Sequence, residues 1–202
     1  MKLMKIIASG AFITFFFTKC GKGGITYKDK VESLRKSKDI SFKTGSNSPL
    51  NDMIKSSFEG LRYFPVDESY KVNSFIELDK NCAPIRLISD TSFNDLFYPV
   101  AKLNFSVKSV RCQLTGFSKT LDNIKALFIP FFDKTSGQET YGGGRFLDVE
   151  LQDNEQVLLD FNMTYNPYCA YNSKYICPAP PFINYLEVPI LAGEKLPLID
   201  KH

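Results

Sequence analysis

From Tyr70 onward, apolar residues favour every second position, and no other feature of the sequence constrains the fold as strongly. The pattern runs through residues 70–78, 85–87, 103–107 and 110–114. Successive side chains of a β-strand point to opposite faces of its sheet, so a period of two is typical of a strand with one buried face. The sequence therefore predicts several short strands joined by turns.

Later segments extend the predicted sheet. ALFIPFFD, residues 126–133, is a continuous apolar run, which suits a strand buried on both faces or a stave of a barrel. Pro130 predicts an edge or a bulge within that run. RFLDVEL, residues 145–151, and QVLLDFN, residues 156–162, predict a hairpin that turns in the DNEQ segment between them. We expect YLEVPI and the closing AGEKL to complete the sheet.

One segment has the helical period instead. In YKDKVESLRKSKDISF, residues 27–42, Tyr27, Val31, Leu34 and Arg35 recur at helical spacing among charged residues. The chain also contains 18 Phe and 10 Tyr, and this aromatic content favours β structure elsewhere. We therefore expect a mainly β chain, folded as a single antiparallel β-barrel or sandwich domain with an N-terminal helix.

The first 20 residues combine a basic start, MKLMK, with an apolar run over residues 6–17 and a cysteine, Cys20. This order is typical of a signal peptide, and the run is shorter than the roughly 20 apolar residues that span a bilayer. Cys20 resembles the cysteine at a bacterial lipoprotein processing site, although Lys19 differs from the small residue usual there. Ordinary cleavage and an uncleaved anchor are the alternatives.

The predicted organisation follows from that site. We expect a signal peptide at residues 1–19, a lipidated Cys20 with a short tether over residues 20–24, and a single β-rich domain over residues 25–202. The chain would then be a membrane-anchored lipoprotein of the bacterial cell envelope. Its partners would be the membrane, through the N-terminal lipid, and a small-molecule ligand.

Charge and histidine content exclude several classes of function. Removal of residues 1–19 takes away three lysines and no acidic residue, which lowers the formal net charge from +3 to zero and argues against a nucleic-acid partner. The only histidine is His202, the last residue. A Ser-His-Asp triad, a Cys-His pair and an HExxH zinc site are therefore excluded as normally built. The sequence also has no phosphate-loop motif.

The segment TSGQETYGGGR, residues 135–145, is long for a connection between strands, and long loops in compact domains often carry function. Gly142, Gly143 and Gly144 permit close approach of a ligand, and their N–H groups could bind an anion. We predict that Arg145 holds a carboxylate or phosphate of that ligand.

Arg145 has an alternative role, since it could instead pair with Asp133 or Asp160 and hold strands together. Further hydrogen-bonding groups for a polar ligand are expected near the DFN stretch and the glycines, and they would lie at the mouth of a barrel. These additional candidates are Tyr141, Asp160, Asn162 and Asn166.

The segment TYNPYCAYNSKYICPAPP, residues 164–181, contains Cys169 and Cys177 among prolines that prevent helix or central strand. Outside the cytoplasm such a pair oxidises, so we predict a disulfide that contributes roughly 2.5 kcal/mol. A metal site that combined this pair with Cys82 and Cys112 would lack the CxxC spacing of zinc sites, and no metal is predicted. A reactive thiol is the other alternative, and Cys82 and Cys112 fit buried thiols.

Two long stretches carry a family resemblance. FIPFFDKTSGQETYGGGRFLDVE and LLDFNMTYNPYCAYNSKYICPAPPFINYLEVPILAGEKL, with SPLND and FEGLRYFPVD upstream, resemble the signature of the bacterial family catalogued as domain of unknown function 1684. The similarity runs from about residue 27 to residue 196 and depends on GGGR, DFN, NPYC, CPAPP and AGEK in that order. The resemblance implies a single bacterial domain with no assigned activity.

The expected function is that of a lipid-anchored binding module. A mouth formed by the GGGR segment and the cysteine-containing loop would hold a small polar or anionic ligand. One alternative is an enzyme of unfamiliar type, such as a hydrolase, that uses Asp or Glu with Arg145. The other is a flavin-binding β-barrel, which is suggested only by analogy with aromatic β-domains that bear Gly and Arg. The sequence assigns no cofactor.

Overall fold

The structure is a computed structural model that describes residues 2–3, 24–87, 95–152 and 156–198. The predicted lipidation site, Cys20, and His202 lie outside the described residues, as does the predicted signal peptide except for residues 2–3. The described chain is mostly β, with an N-terminal helix and a sheet that curls into a half-barrel. This architecture confirms the predicted fold class.

The described residues form two α-helices, α1 (Tyr27–Thr44) and α2 (Asp52–Ser57). The strands are β1 (Lys2–Leu3), β2 (Lys71–Leu78), β3 (Ile85–Arg86), β4 (Leu96–Val107), β5 (Val110–Ser118), β6 (Ala126–Asp133), β7 (Arg145–Glu150), β8 (Gln156–Asp160), β9 (Tyr175–Ile176) and β10 (Tyr185–Leu186). None of the described helices is long and apolar enough to cross a membrane.

The main sheet has eight strands in the order β10-β6-β5-β4-β2-β8, with β3 beside β4 and β7 beside β6. Its pairs are antiparallel except β10 with β6. β1 and β9 form a separate parallel pair. Inside the curl lies a core of fully buried apolar side chains, among them Val100, Leu103, Ile129, Phe131 and Phe161.

The predicted hairpin of residues 145–151 with 156–162 is wrong. β7 pairs with β6, whereas β8 pairs with β2 at the other end of the sheet order. The chain therefore passes from one edge of the curled sheet to the other, and sequence neighbours need not be paired in such a sheet. The AGEKL segment also forms no strand of the sheet, because its one bridge joins Glu194 to Tyr63.

β6 confirms the prediction of a buried strand that contains a proline. Six of its eight residues are buried, including Pro130. On the side away from β7, β6 pairs with β5 only at Phe128 and with β10 only at Phe132 and Asp133. Pro130 cannot donate a backbone hydrogen bond, and it lies at a position where no strand on that side pairs with it.

Helix α1 begins at a capping box, in which the hydroxyl of Thr26 and the carboxylate of Asp29 satisfy each other's backbone N–H groups. Val31 and Phe42 are its buried residues, whereas Leu34, which shares the helical spacing of Val31 in the sequence, is 54% exposed. Polar side chains on the inner face of α1 also form hydrogen bonds and an ion pair with the sheet and with the C-terminal segment. Packing of α1 therefore depends on specific hydrogen bonds as well as apolar burial.

Candidate functional site

The glycines before Arg145 bring the backbone into close contact with the proline-rich segment. Gly144 has a φ of +82°, and a Cβ there would lie 2.6 Å from Cγ of Pro180 and 2.7 Å from the carbonyl oxygen of Phe131. Only glycine fits both this left-handed conformation and this space. Gly144 therefore serves packing, and it sets the direction in which β7 starts at Arg145.

Arg145 points into the protein and is 1% exposed. Its Nη2 donates to Oδ2 of Asp133 at 2.8 Å and to the carbonyl oxygen of Ile190 at 2.9 Å. Its Nη1 donates to the carbonyl oxygens of Ala192 and Glu194. Burial lowers the pKa of the guanidinium, and the Asp133 carboxylate acts in the opposite direction.

This arrangement fastens the C-terminal segment to the sheet. Of the two roles considered for Arg145, the structure shows the pairing with Asp133, on β6. The carboxylate of Asp133 also accepts hydrogen bonds from the backbone N–H and the hydroxyl of Thr135. Ligand binding by Arg145 stays a prediction, and a ligand would have to displace these internal partners.

Asp160 and Asn162 lie at a different place, where α1 begins. The hydroxyl of Tyr27 donates to the carboxylate of Asp160, with 2.8 Å to each oxygen. The side chain of Asn162 accepts from the N–H of Asp67 and donates to the carbonyl oxygen of Asp67, each at 2.9 Å. Burial, followed by the contact with Asp160, raises the pKa of Tyr27. Asp160 thus joins the start of α1 to the end of β8, and Asn162 joins the residues before β2 to the same place.

Asn166 contacts a buried carboxylate, that of Glu194, which is not among the residues predicted from the sequence. Glu194 is 1% exposed, and its carboxylate accepts from the hydroxyl of Tyr171 at 2.7 Å and from the N–H of Asn166 at 2.8 Å. Lys38 of α1 forms an ion pair with the same carboxylate. The motif AGEK was recognised in the sequence, but nothing local indicated that its glutamate faces inward.

Tyr141 and the predicted disulfide residues lie together. The hydroxyl of Tyr141 donates to Sγ of Cys169 at 3.9 Å, and the N–H of Cys169 donates to Sγ of Cys177 at 3.3 Å. Burial raises the pKa of Tyr141 to about 12, and the contact with Cys169 raises the pKa of the Cys177 thiol. The structure holds the two cysteines as neighbouring thiols, and the disulfide stays a prediction.

The predicted ligand residues therefore do not gather at one place. Arg145 and Asn166 both reach Glu194, the first through its carbonyl oxygen and the second through its carboxylate. Asp160 and Asn162 are engaged at the start of α1, and Tyr141 is engaged with the cysteines. Gly142 and Gly143 occupy the connection before Arg145, where Gly142 is exposed. Among the described residues, no group of three His, Cys, Asp or Glu side chains could hold a metal ion.

A concave surface lies elsewhere, and we call it the cationic groove. It is a cavity of about 590 Å³ between α2, the FEGLR segment and the C-terminal segment. Its lining combines apolar, aromatic and charged side chains. The lining residues are Asn51, Met53, Ile54, Ser57, Phe58, Glu59, Gly60, Leu61, Arg62, Tyr171, Lys195, Pro197 and Leu198.

Two cations of the groove face each other. The antiparallel bridge between Tyr63 and Glu194, with a 2.8 Å hydrogen bond from the N–H of Lys195 to the carbonyl oxygen of Arg62, sets the register that puts Arg62 opposite Lys195. Side chains alternate in such a pairing, so Tyr63 and Glu194 point to one side while Arg62 and Lys195 point to the other. Neither cation is among the residues predicted from the sequence, because only the tertiary register brings them together.

Neither cation has a carboxylate partner in the part of the chain that the structure describes. Arg62 donates to the carbonyl oxygen of Leu196 at 3.3 Å, and the Lys195 ammonium lies 4.8 Å from the centre of the Phe64 ring. Glu59 lines the same groove but forms no ion pair with either. The groove thus carries two neighbouring positive charges whose side chains are engaged only weakly.

The chain matches the model of the family described as "Protein of unknown function (DUF1684)" over residues 56–195. It is also similar to the uncharacterized protein from gene locus rrnAC0354 of Haloarcula marismortui, whose structure was solved by solution NMR. The two sequences are 34% identical, the similarity covers 82% of this chain and 92% of that chain, and the TM-score is 0.66. No curated protein matches the chain.

Proposed function

The chain belongs to the DUF1684 family of proteins of unknown function, and we propose that it is an exported, lipid-anchored β-domain that binds a small anionic ligand in the cationic groove. One observation carries the proposal: Arg62 lies opposite Lys195, and neither pairs with a carboxylate of the described residues. The proposal keeps the ligand class that the sequence predicts and moves the site to a different set of residues.

Repulsion between the two opposed cations favours the binding of an anion between them. Like charges directly opposite each other on paired backbone segments are destabilising, by a few tenths of a kcal/mol to about 1 kcal/mol. An anion between Arg62 and Lys195 replaces this repulsion with two attractions, and the guanidinium can hold a carboxylate or phosphate through two hydrogen bonds. The cavity of about 590 Å³ is within the usual range for small-molecule sites.

One wall of the groove is fixed by contacts within the protein. Tyr171 is 2% exposed, and its hydroxyl is held by the Glu194 carboxylate. Phe58, another lining residue, is 8% exposed and packs in one apolar cluster with Tyr171. Side chains that are ordered before binding lose little entropy on binding, which favours affinity.

Arg145 is the less favourable anion site. To reach a ligand, its guanidinium would have to release Asp133 and several carbonyl oxygens in a fully buried setting. Loss of a buried, hydrogen-bonded charge pair costs several kcal/mol, and most small ligands do not recover that amount from one contact. The same cost applies to an enzyme that would use Arg145 in its reaction.

Export and anchoring are proposed from the N-terminal sequence. The basic start, the apolar run over residues 6–17 and Cys20 support processing as a lipoprotein, with a short tether before the domain. Intact-mass measurement of the protein from a lipoprotein-processing bacterium should show a chain that begins at Cys20 and carries lipid. The Cys20→Ser variant should carry none. A wild-type chain that keeps residues 1–19 and carries no lipid contradicts the proposal.

The same sample tests the predicted disulfide. In the oxidising envelope, the neighbouring thiols of Cys169 and Cys177 should lose two hydrogen atoms to the oxidising system of that compartment and form one sulfur–sulfur bond. The intact mass before and after reduction measures that loss. Equal masses would show that both residues remain thiols after export.

Anion binding is tested by thermal unfolding in the presence of acetate, inorganic phosphate, citrate and decanoate. At ten times its dissociation constant, a ligand stabilises the native state by about 1.4 kcal/mol, which raises the Tm of a chain of this size by about 4 °C. We expect at least one of these anions to raise the Tm of the wild type by this amount. The Arg62→Gln and Lys195→Gln variants should lose most of the increase.

Arg111→Gln is the matched control, because Arg111 is an exposed arginine of β5 that lies outside the groove. This variant should respond to the anion as the wild type does. An equal response from Arg62→Gln and Arg111→Gln would contradict the proposed site. Absence of any response to all four anions would contradict anion binding itself.

A further inference from the structure

The cationic groove also contains an uncovered apolar surface. Helix α2 buries none of its residues, although it carries Met53 and Ile54. Met53 is 82% exposed and Leu198 is 78% exposed, and both line the groove with the two cations. Single exposed apolar residues are common on proteins, but here two of them share one concavity.

The position of α2 is fixed without full burial of Met53 or Ile54. Its N-cap residue, Asn51, accepts from the N–H of Ile54 at 2.8 Å, and the Lys55 ammonium donates to the carbonyl oxygen of Gly45 at 3.3 Å. Ile54 is half-buried and packs against the cluster that contains Phe58 and Tyr171, so polar contacts and this packing together hold the helix, while Met53 remains exposed. An apolar molecule that covers Met53 and Ile54 would remove their surface from water without rearrangement of the helix.

The charges of the groove select the polar end of such a molecule. Arg62 and Lys195 line the same cavity as Met53, Ile54 and Leu198, and Glu59 is the only acidic side chain among the lining residues that the structure describes. Leu198 follows Lys195 by three residues, which places the two at most about 10 Å apart along the chain. That separation is comparable to the length of a medium acyl chain.

From these observations we infer that the ligand of the groove is a single-chain anionic amphiphile, with its carboxylate or phosphate between Arg62 and Lys195 and its apolar chain against Met53, Ile54 and Leu198. The inference rests on the proposed anion-binding function and specifies its ligand class. One soluble molecule, and not a membrane surface, occupies the groove in this proposal.

Chain length provides the decisive measurement. Calorimetric titration of the purified protein with acetate, hexanoate, octanoate and decanoate, each below its micelle-forming concentration, gives one dissociation constant per ligand. A fully buried methylene strengthens binding about fourfold, so a chain in an open groove should gain about twofold for each added methylene. Decanoate should then bind about 16-fold more tightly than hexanoate, and decylammonium at least tenfold more weakly than decanoate.

Substitutions separate the two parts of the ligand. Met53→Ser and Leu198→Ser change highly exposed residues, so the fold should persist, and each should weaken decanoate about threefold to tenfold without an effect on acetate. Phe182→Ser is the control, because Phe182 is 88% exposed and does not line the groove. Arg62→Gln should weaken the binding of every carboxylate in the series.

Other outcomes of these titrations would overturn the amphiphile inference alone or both proposals together. If acetate or phosphate binds as tightly as decanoate and depends on Arg62, anion binding stands and the amphiphile inference is wrong. If decanoate and decylammonium bind equally well, the cations do not select the ligand and both proposals fail, as they do if none of these ligands binds. Binding to anionic phospholipid vesicles without binding to decanoate would also overturn the inference, in favour of a membrane surface.

Discussion

Two arginines of this protein have opposite surroundings. Arg145 is buried, and its guanidinium is surrounded by Asp133 and by carbonyl oxygens of the C-terminal segment. Arg62 is exposed, faces Lys195 and has no carboxylate partner among the described residues. A buried cation that is paired with a carboxylate and with carbonyl oxygens of the protein itself stabilises the fold, whereas a pair of cations without an anion leaves a charge for a ligand to neutralise.

Glu194 connects the two regions. Its carbonyl oxygen accepts from Arg145, and its carboxylate is held by Lys38 and Tyr171. The next residue, Lys195, already lines the groove. The C-terminal segment is thus fastened to the sheet up to Glu194 and contributes to the groove from Lys195 onward, so the buried network fixes the position of one groove cation.

The largest expected effect comes from Arg145→Met. This variant leaves the Asp133 carboxylate buried without its cation, and removal of one partner from a buried pair costs about 3 to 5 kcal/mol. Urea unfolding measures the loss, with Arg111→Gln as the exposed control. A loss below about 1 kcal/mol would mean that Arg145 is not a structural cation, and the contrast between the two arginines would not hold.

Glu194→Gln should have the next largest effect, about 2 kcal/mol. The substitution keeps the shape of the side chain but removes the charge that holds Lys38, and hydrogen bonds to charged groups contribute about 1.5 to 3 kcal/mol. Glu59→Gln is the control, because Glu59 lies in the groove, is exposed and forms no ion pair among the described residues. Equal stability of the two variants in urea would argue against a structural role for Glu194.

Tyr27→Phe should cost about 1 kcal/mol at pH 7, since it removes the hydrogen bond to Asp160. The pKa of Tyr27 is raised in the fold, so the contribution of this hydroxyl is complete below the pKa of an unfolded tyrosine, near 10, and is lost as pH rises above it. The difference in unfolding free energy between wild type and variant should shrink above pH 10. A difference that stays constant to higher pH would contradict the assigned contact.

The smallest effect has the opposite sign. Arg62→Gln should stabilise the unliganded protein by roughly 0.3 kcal/mol, because it removes the repulsion with Lys195. The gain should be largest at low ionic strength and should fade as salt screens the charges. Urea unfolding of the wild type and the variant at two salt concentrations measures this. A destabilised variant at low salt would show that Arg62 already has a favourable partner.

The strand and helix assignments could be made from the sequence because they depend on neighbours along the chain. The helical spacing within residues 27–42 and the apolar run of β6 are local signals, and both elements are where the sequence predicts them. The hairpin of β7 and β8 was predicted wrongly because strand pairing is a property of the whole sheet. Local pattern shows that a strand exists, but it does not identify the strand's partner.

The candidate site was harder to predict for a related reason. An arginine after three glycines has the features of an anion site, and the sequence alone left open whether Arg145 meets a ligand or Asp133. Arg62 and Lys195 are separated by more than half of the chain, and each is unremarkable in its own segment. Only the bridge between Tyr63 and Glu194 reveals that they share a groove.

The central claim is that the anion site is the groove and not the GGGR segment. An amide-resolved NMR titration of the ¹⁵N-labelled protein with decanoate compares the two directly. We predict that the largest shift changes fall on residues 53–54, 58–62, 195–196 and 198, with little change at residues 142–145. If the changes instead fall on residues 142–145, the ligand meets the glycine segment and Arg145, and the assignment of the groove is contradicted.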